Sequence, residues 1–171
     1  QPQVVLAQAI GDTVVVGGPG GGVARDQCAY GWQLTGIDYV AGKDINNLTP
    51  VCSRIVNGHT TEGPVRLRHW GAPYDFNGRF GIAGSIACPP NTAAQGINVG
   101  VSRVNVVHDL TLRCRNPINH AYVGSARTMS GGGERGREGN VDCGGGAIAV
   151  GVVVHYGSMI DAVGLICQVI A

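Results

Sequence analysis

Alternation of apolar and polar residues along the chain predicts short β-strands. In residues 32–37 (WQLTGI), large apolar side chains alternate with polar ones. Residues 150–155 and 162–170 are rich in Val and Ile, which favour strands, and residues 156–159 (YGSM) between them are typical of a hairpin connection. The best candidate for a helix, residues 92–99, contains a central glycine. The pattern therefore predicts an all-β protein.

Three stretches of the chain align on their cysteines. In each stretch a glycine followed by Ile or Val lies eight residues after the first cysteine, and the closing cysteine follows that first cysteine after 24, 26 and 24 residues. Two sets of apolar residues also coincide when counted back from the closing cysteine: Ile45, Val107 and Ile160, and then Leu48, Leu110 and Val163. Internal repetition of this kind indicates similar units that bury their apolar faces against one another.

The repeat also selects one disulfide pairing among the fifteen that six cysteines allow. Equivalent units should form equivalent bonds, which predicts Cys28–Cys52, Cys88–Cys114 and Cys143–Cys167. The spacing lacks the CxxC clusters of zinc sites, so we expect no metal and no cofactor. Three disulfides indicate an oxidising compartment, and we expect a protein that has lost its signal peptide and is secreted, extracellular or, in a bacterium, periplasmic.

The predicted fold is a β-prism of three antiparallel sheets with pseudo-threefold symmetry and one disulfide per repeat, in a single domain over residues 1–171. The repeats span approximately residues 10–56, 65–115 and 122–171, and each is expected to form one small sheet. Residues 57–64 and 115–120 are expected to be polar links between repeats. Residues 131–139 are expected to form a charged loop in which Arg and Glu pair in solvent.

Composition excludes several classes of protein. Charged residues are only 13% of the chain and the net charge is +1, so we expect no nucleic-acid partner. The 29 glycines have no three-residue period, which excludes collagen, and 44% hydrophobic residues are too many for simple disorder. We expect no membrane span because no apolar run approaches about 18 residues.

Short motifs carry a resemblance to two families with this kind of prism. Residues 69–71 (HWG) ahead of Cys88, and residues 110–114 (LTLRC), resemble the vitelline membrane outer layer proteins, a family that the disulfides also favour. Residues 17–22 (GGPGGG) and residues 157–164 (GSMIDAVG) resemble the glycine-rich loop and the G-x-x-x-D segment of the jacalin-related lectins.

In the lectins those two segments meet at one end of the prism and hold a sugar ring. The resemblance implies Asp161 as acceptor of sugar hydroxyls and a turn shaped by Gly157, with Tyr156 packed on the apolar face of the ring. Backbone N–H groups of the two segments would donate, and glycine would allow close approach to the ligand. The sugar-binding residues predicted in this way are Gly20, Gly21, Gly157, Ser158, Met159 and Asp161. We expect such a shallow site to bind with about 4–6 kcal/mol.

The residues that align with Asp161 differ in the other two repeats, so we do not expect a sugar-binding site in every repeat. Asn46 and His108 align with Asp161, and Gly42 aligns with Gly157. Asn46 keeps acceptor capacity, so Gly42 and Asn46 form a possible second site, whereas His108 makes the remaining copy a poor third.

The sequence therefore predicts a secreted, non-catalytic, lectin-like protein whose partners are glycans or glycoconjugates, and which could assemble as a homo-oligomer. The alternative is a structural coat or matrix protein of the vitelline type, because low net charge promotes association. A lesser alternative is a glycan-cleaving enzyme that uses Asp38 and Asp44. Asp161 could also merely anchor its own turn. Trp70 is expected in the core or, alternatively, beside the binding groove.

Overall fold

The computed structural model describes residues 10–73, 81–119, 121–128 and 134–169, and the regular structure of these residues consists of β-strands. In chain order they are β1 Ile10–Asp12, β2 Val16–Gly17, β3 Gly22–Gln27, β4 Trp32–Ala41, β5 Ile45–Val56, β6 His59–Arg66, β7 Trp70–Gly71, β8 Ile82–Ala87, β9 Ala93–Ser102, β10 Val107–Arg115, β11 Tyr122–Arg127, β12 Arg135–Asp142, β13 Ala147–Tyr156 and β14 Ile160–Val169.

Each of the three antiparallel sheets contains one long central hairpin. The first sheet has the strand order β6-β5-β4-β8 with β7 also paired to β5, and the second has the order β11-β10-β9-β12. The third has the order β1-β14-β13-β3, with β2 also paired to β14. The predicted all-β prism of three antiparallel sheets is confirmed.

A disulfide closes the open end of every central hairpin. Cys28, Cys88 and Cys143 precede the first strands of the hairpins and bond to Cys52, Cys114 and Cys167 in the second strands. The Cα atoms of the three pairs are 5.9, 5.6 and 5.4 Å apart. The structure thus contains the pairing that the repeat predicts.

The expectation that each repeat forms its own sheet is wrong. The outer strands β6, β7 and β8 pair with the hairpin that precedes them, although residues 65–115 assign part of them to the following repeat. The same holds for β11 and β12, and the N-terminal strands β1 to β3 complete the sheet of the last hairpin. The outer strands hydrogen-bond to the free edges of the hairpins. Because β1 pairs with β14, the first and last strands of the described chain lie in one sheet. The extent of the single domain over 1–171 stays a prediction, because 1–9 and 170–171 lie outside the described residues.

Two segments expected as links or loops are edge strands. Residues 57–58 form a turn, and the rest of the predicted link at 57–64 lies in β6. Residues 135–139 of the predicted charged loop belong to β12, and residues 131–133 lie outside the described part of the chain. Arg135 does pair with Glu138, at 2.5 Å, as expected for the charges of this segment.

The core lies between the inner faces of the three hairpins. The six apolar residues that coincide in the repeat alignment are all fully buried: Ile45, Leu48, Val107, Leu110, Ile160 and Val163. They belong to one cluster to which all three sheets contribute. This common core explains why no single sheet needs to be stable alone. Within the described residues no helix is long and apolar enough to cross a membrane.

Candidate functional site

At one end of the prism, a glycine-rich loop (residues 17–22) lies beside the turn that joins β13 to β14 (residues 157–161). The N–H of Gly18 donates to the carbonyl oxygen of Asp161 at 2.8 Å, and Gly22 pairs with Tyr156 in the β3–β13 ladder. The structure therefore brings together the two segments in which the sequence predicts sugar-binding residues. We call this end of the molecule the upper site.

The Asp161 carboxylate lies against the glycines of both segments. A Cβ atom on Gly21 would overlap the carbonyl oxygen of Tyr156 and lie 2.6 Å from Oδ2 of Asp161. A Cβ atom on Gly20 would lie 3.4 Å from Oδ1, and one on Gly157 would lie 3.8 Å from Oδ2. Gly21 also has φ +82°, a conformation that favours glycine. Glycine at position 21 thus makes this close approach possible.

Polar groups of the upper site are left available to a ligand. Asp161 is half-buried, and its carboxylate oxygens accept no hydrogen bond from the described residues. The turn closes through a 2.9 Å bond from Gly157 N–H to the Met159 carbonyl, and the N–H groups of Ser158 and Met159 have no backbone acceptor in the described part of the chain. Within these residues, the Asp161 side chain does not anchor its own turn, so acceptor and donors remain for another molecule.

Tyr156, the aromatic residue at the upper site, is held in place from behind. Its ring centroid lies 5.0 Å from that of Trp70, and a Cβ atom on Gly22 would lie 3.5 Å from the ring. The indole N–H of Trp70 donates to Asp26 at 2.8 Å, and the N–H of Arg68 donates to the same carboxylate oxygen at 3.0 Å. Trp70 therefore packs against the core and also supports Tyr156 beside the site.

Arg137, a residue that the sequence analysis does not single out, also supports the glycine-rich loop. Its guanidinium donates to the carbonyl oxygen of Gly17 at 2.9 Å and to Oδ1 of Asn105 at 2.5 Å. Arg137 lies on β12 and Asn105 in the turn after β9, so the second sheet supports a site built on the third. The local sequence does not indicate the contact between Arg137 and Gly17, because these two residues are 120 positions apart in the chain.

The possible second site, at Gly42 and Asn46, shares two backbone hydrogen bonds with the upper site but has different side chains. The N–H of Gly42 donates to the Asp44 carbonyl at 2.9 Å, and the N–H of Ala72 donates to the Asn46 carbonyl at 3.0 Å. These bonds match those made by Gly157 and Gly18. Because residues 74–80 lie outside the described residues, binding at Gly42 and Asn46 stays a prediction.

The acidic residues at and near His108, in the second repeat, make structural contacts. His108 Nδ1 lies 2.9 Å from Oδ1 of Asp44, and both side chains are buried. Asp109 is completely buried and accepts hydrogen bonds from both Nε and Nη2 of Arg135, at 3.1 and 2.6 Å. These hydrogen bonds raise the pKa of Arg135 above its usual value. Neither acid is therefore an exposed acceptor for a ligand.

The pair of acids considered for glycan cleavage is engaged with two different sets of partners. Asp38 pairs with Arg66 and accepts a 2.6 Å hydrogen bond from Ser85, whereas Asp44 pairs with His108. Among the residues that the structure describes, no group of three or more potential metal ligands comes together.

Solved structures with the same architecture include several lectins. The Malaysian banana lectin superposes with a TM-score of 0.64 at 17% identity, covering 95% of this chain and all of the lectin. Calystegia sepium agglutinin gives 0.64 at 15% identity over 97% and 99% of the two chains. A mannose-specific jacalin-related lectin from Morus nigra, solved in complex with mannose, gives 0.61 at 17% identity over 99% of each chain.

These likenesses confirm the predicted β-prism and its resemblance in fold to the jacalin-related lectins. The resemblance to the vitelline membrane outer layer proteins stays a prediction. No protein-family model matches the chain, and a search of curated proteins finds no match.

Proposed function

We propose that this protein binds carbohydrate without cleaving it, through the upper site. The observation that carries the proposal is the half-buried Asp161 carboxylate, which lies between two glycine segments and accepts no hydrogen bond from the described residues. An ionised carboxylate accepts from two sugar hydroxyls at once, and such charge-assisted bonds are the stronger kind. The free N–H groups of Ser158 and Met159 are suited to donate to oxygens of the same ring.

The proposed ligand is a neutral hexose of the mannose type. Vicinal hydroxyls each donate and accept, which suits a site with one carboxylate beside several backbone donors. The Morus nigra lectin is described as mannose-specific, and a pineapple relative with the same fold is described as mannose-binding. Both cover at least 92% of this chain, and their sugar is the first that we would test.

The same proposal assigns the protein to an oxidising compartment, secreted or periplasmic. All six cysteines are in disulfides, and such bonds persist outside the reducing cytosol. A shallow site of this kind gives weak affinity per sugar, so association of several copies would add avidity. We include a homo-oligomer in the proposal for that reason.

Asp161→Ala is expected to weaken binding of methyl α-mannoside at least tenfold, which is about 1.4 kcal/mol. The variant removes both carboxylate acceptors and leaves the turn intact, because the turn closes through backbone bonds of Gly157. NMR titration or calorimetry at millimolar sugar measures the change. An unaltered circular dichroism spectrum and unfolding midpoint show that the fold is kept.

Asn46→Ala is the matched control, because Asn46 occupies the equivalent position on the first sheet. Unchanged affinity in Asn46→Ala with loss in Asp161→Ala supports one site, whereas a loss of half the stoichiometry in each variant supports two. A panel of monosaccharides that gives no binding, together with concentration-dependent self-assembly, would favour the structural coat. Turnover of an oligosaccharide would favour the enzyme.

A further inference from the structure

We propose a second saccharide site at the opposite end of the prism, in a cavity of about 220 Å³ that we call the lower cavity. Strand β13 runs from this end, where Ile148 lines the cavity, to Tyr156 at the upper site. Eight residues of extended strand separate the two by roughly 26 Å. The lower cavity is thus a separate place on the molecule, and this proposal does not rest on the function proposed for the upper site.

The floor of the lower cavity and part of its walls are apolar. Ile55 and Ile148 form the floor and are only 8% and 1% exposed, since they belong to a small buried cluster between the sheets. Tyr30 and Ile118 line the walls and are 91% and 62% exposed. An aromatic ring that is almost wholly in water, next to an apolar floor, is a surface on which the C–H face of a pyranose ring can pack.

Tyr30 is held by a tight turn. The N–H of Trp32 donates to the carbonyl of Ala29 at 2.9 Å, and Gly31 has φ +81°, as in a type II turn with Tyr30 and Gly31 at its centre. Before the turn, Cys28 is fixed by its disulfide and by a 2.8 Å hydrogen bond to the carbonyl of Val150. The backbone that carries the tyrosine ring is therefore fixed before any ligand arrives.

The opposite wall is fixed in a similar way. Asn57 and Gly58 have φ 51° and 77°, as in the tight turn that joins two antiparallel strands. A Cβ atom on Gly58 would lie 3.2 Å from Ile118, so Ile118 packs directly on this turn. The side chain of Asn116 accepts the N–H of Ile118 at 2.8 Å and fixes its backbone. The ordered backbone of both walls reduces the conformational entropy that binding would otherwise cost.

Apart from the hydroxyl of Tyr30, the polar side-chain groups of the lower cavity are neutral amides. Gln33, Asn57 and Gln168 line it, and no charged residue does so among the described residues. The Oε1 atom of Gln33 accepts the N–H of Ile55 at 3.1 Å, which leaves its amino group as a donor. Amides that both donate and accept match sugar hydroxyls, whereas the lack of charge disfavours a phosphate or a carboxylate ligand.

The combination favours an N-acetylhexosamine over a plain hexose. The acetamido methyl is small and apolar and suits the floor formed by Ile55 and Ile148, while the amide of the substituent suits the amide side chains. A neutral peptide is the competing ligand, but it would need a free strand edge for main-chain pairing, and the cavity is lined mainly by turns and side chains. One chain would then carry two sugar sites of different preference at its two ends.

Titration of the Asp161→Ala protein with N-acetylglucosamine, followed by ¹H–¹⁵N NMR, tests the lower cavity with the upper site disabled. We expect concentration-dependent shifts at Gly31, Asn57 and Ile148, and at least fivefold weaker binding in Asp161→Ala/Tyr30→Ala. Tyr122→Ala is the matched control because Tyr122 is also an exposed tyrosine, at 58%, but lies outside the cavity. Tyr30→Phe should retain binding, since it keeps the ring.

Shifts confined to the upper site, or none at up to tens of millimolar sugar, would overturn the proposal. So would equal losses in the Tyr30 and Tyr122 variants, or binding of a neutral peptide in place of the sugar. Glucose that shifts the same residues as strongly as N-acetylglucosamine would overturn the preference for the acetamido group. Failure of the upper site appears separately, as absent mannoside shifts at residues 157–161 of the wild-type protein.

Discussion

Replacing Cys88 and Cys114 together by alanine is expected to lower the free energy of unfolding by at least about 3 kcal/mol, which is the chain-entropy value for a closed loop of this length. This disulfide spans 26 residues, the longest of the three loops, and Cys114 is fully buried in the common core. Truncation of Cys114 therefore also removes packing. Equilibrium unfolding in guanidinium chloride, with the slope compared to wild type, measures the loss.

The matching pair Cys143→Ala and Cys167→Ala separates the two contributions. Its cysteines close a loop of nearly the same length but are only half-buried, so this variant should lose the entropic part and little packing. A loss below about 1 kcal/mol in both variants would contradict the role assigned to the disulfides. If the first variant does not fold, graded reduction of the wild-type protein, followed by peptide mapping and tryptophan fluorescence, gives the same comparison.

The central hairpins are predictable from sequence because their signals are local and threefold. Cysteine spacing identifies each pair of hydrogen-bonded strands, and the coinciding apolar residues Leu48, Leu110 and Val163 identify the face that turns inward. Three copies of one pattern make chance agreement improbable. A single copy would leave the disulfide pairing open.

The outer strands β6 and β12 are not predictable in the same way, because they lie at sheet edges with both faces near solvent. All eight residues of β6 are exposed, and seven of the eight in β12 are exposed or half-buried. Such strands lack the alternation that marks a half-buried strand, and their glycines and charges are typical of loops. Their pairing with the preceding hairpin depends on which edge is free, a property of the assembled prism.

The upper site, too, is only partly predictable from the sequence. Glycines and an aspartate in two short motifs indicate where the ligand would bind, since close backbone approach requires glycine locally. Trp70 and Arg137 support those segments from the first and second sheets, and Asp26 on β3 accepts the indole N–H of Trp70; the local sequence gives no sign of these contacts. The lower cavity is not predictable from the sequence, because the turns near residues 30, 57 and 118 that line it meet only in the folded chain.

Gly21→Ala is expected to abolish detectable mannoside binding and to lower the free energy of unfolding by about 3 kcal/mol. A left-handed conformation costs an alanine about 1–2 kcal/mol, and overpacking typically costs about 1–3 kcal/mol more. Here the added methyl group would overlap the carbonyl oxygen of Tyr156, which belongs to the fixed backbone of β13. It would also lie 2.6 Å from the Asp161 carboxylate, so the loop must move away from this carboxylate.

Gly20→Ala, one residue earlier, is the control that separates crowding from strain. Its methyl group would make an ordinary contact of 3.4 Å with Asp161, and its φ lies outside the left-handed range. This variant should keep wild-type stability and lose only part of the affinity, by narrowing the approach to the carboxylate. For both variants, calorimetric titration with mannoside measures the affinity, and denaturant unfolding measures the free energy of unfolding. Wild-type affinity in Gly21→Ala would mean that the glycine-rich loop has no part in binding.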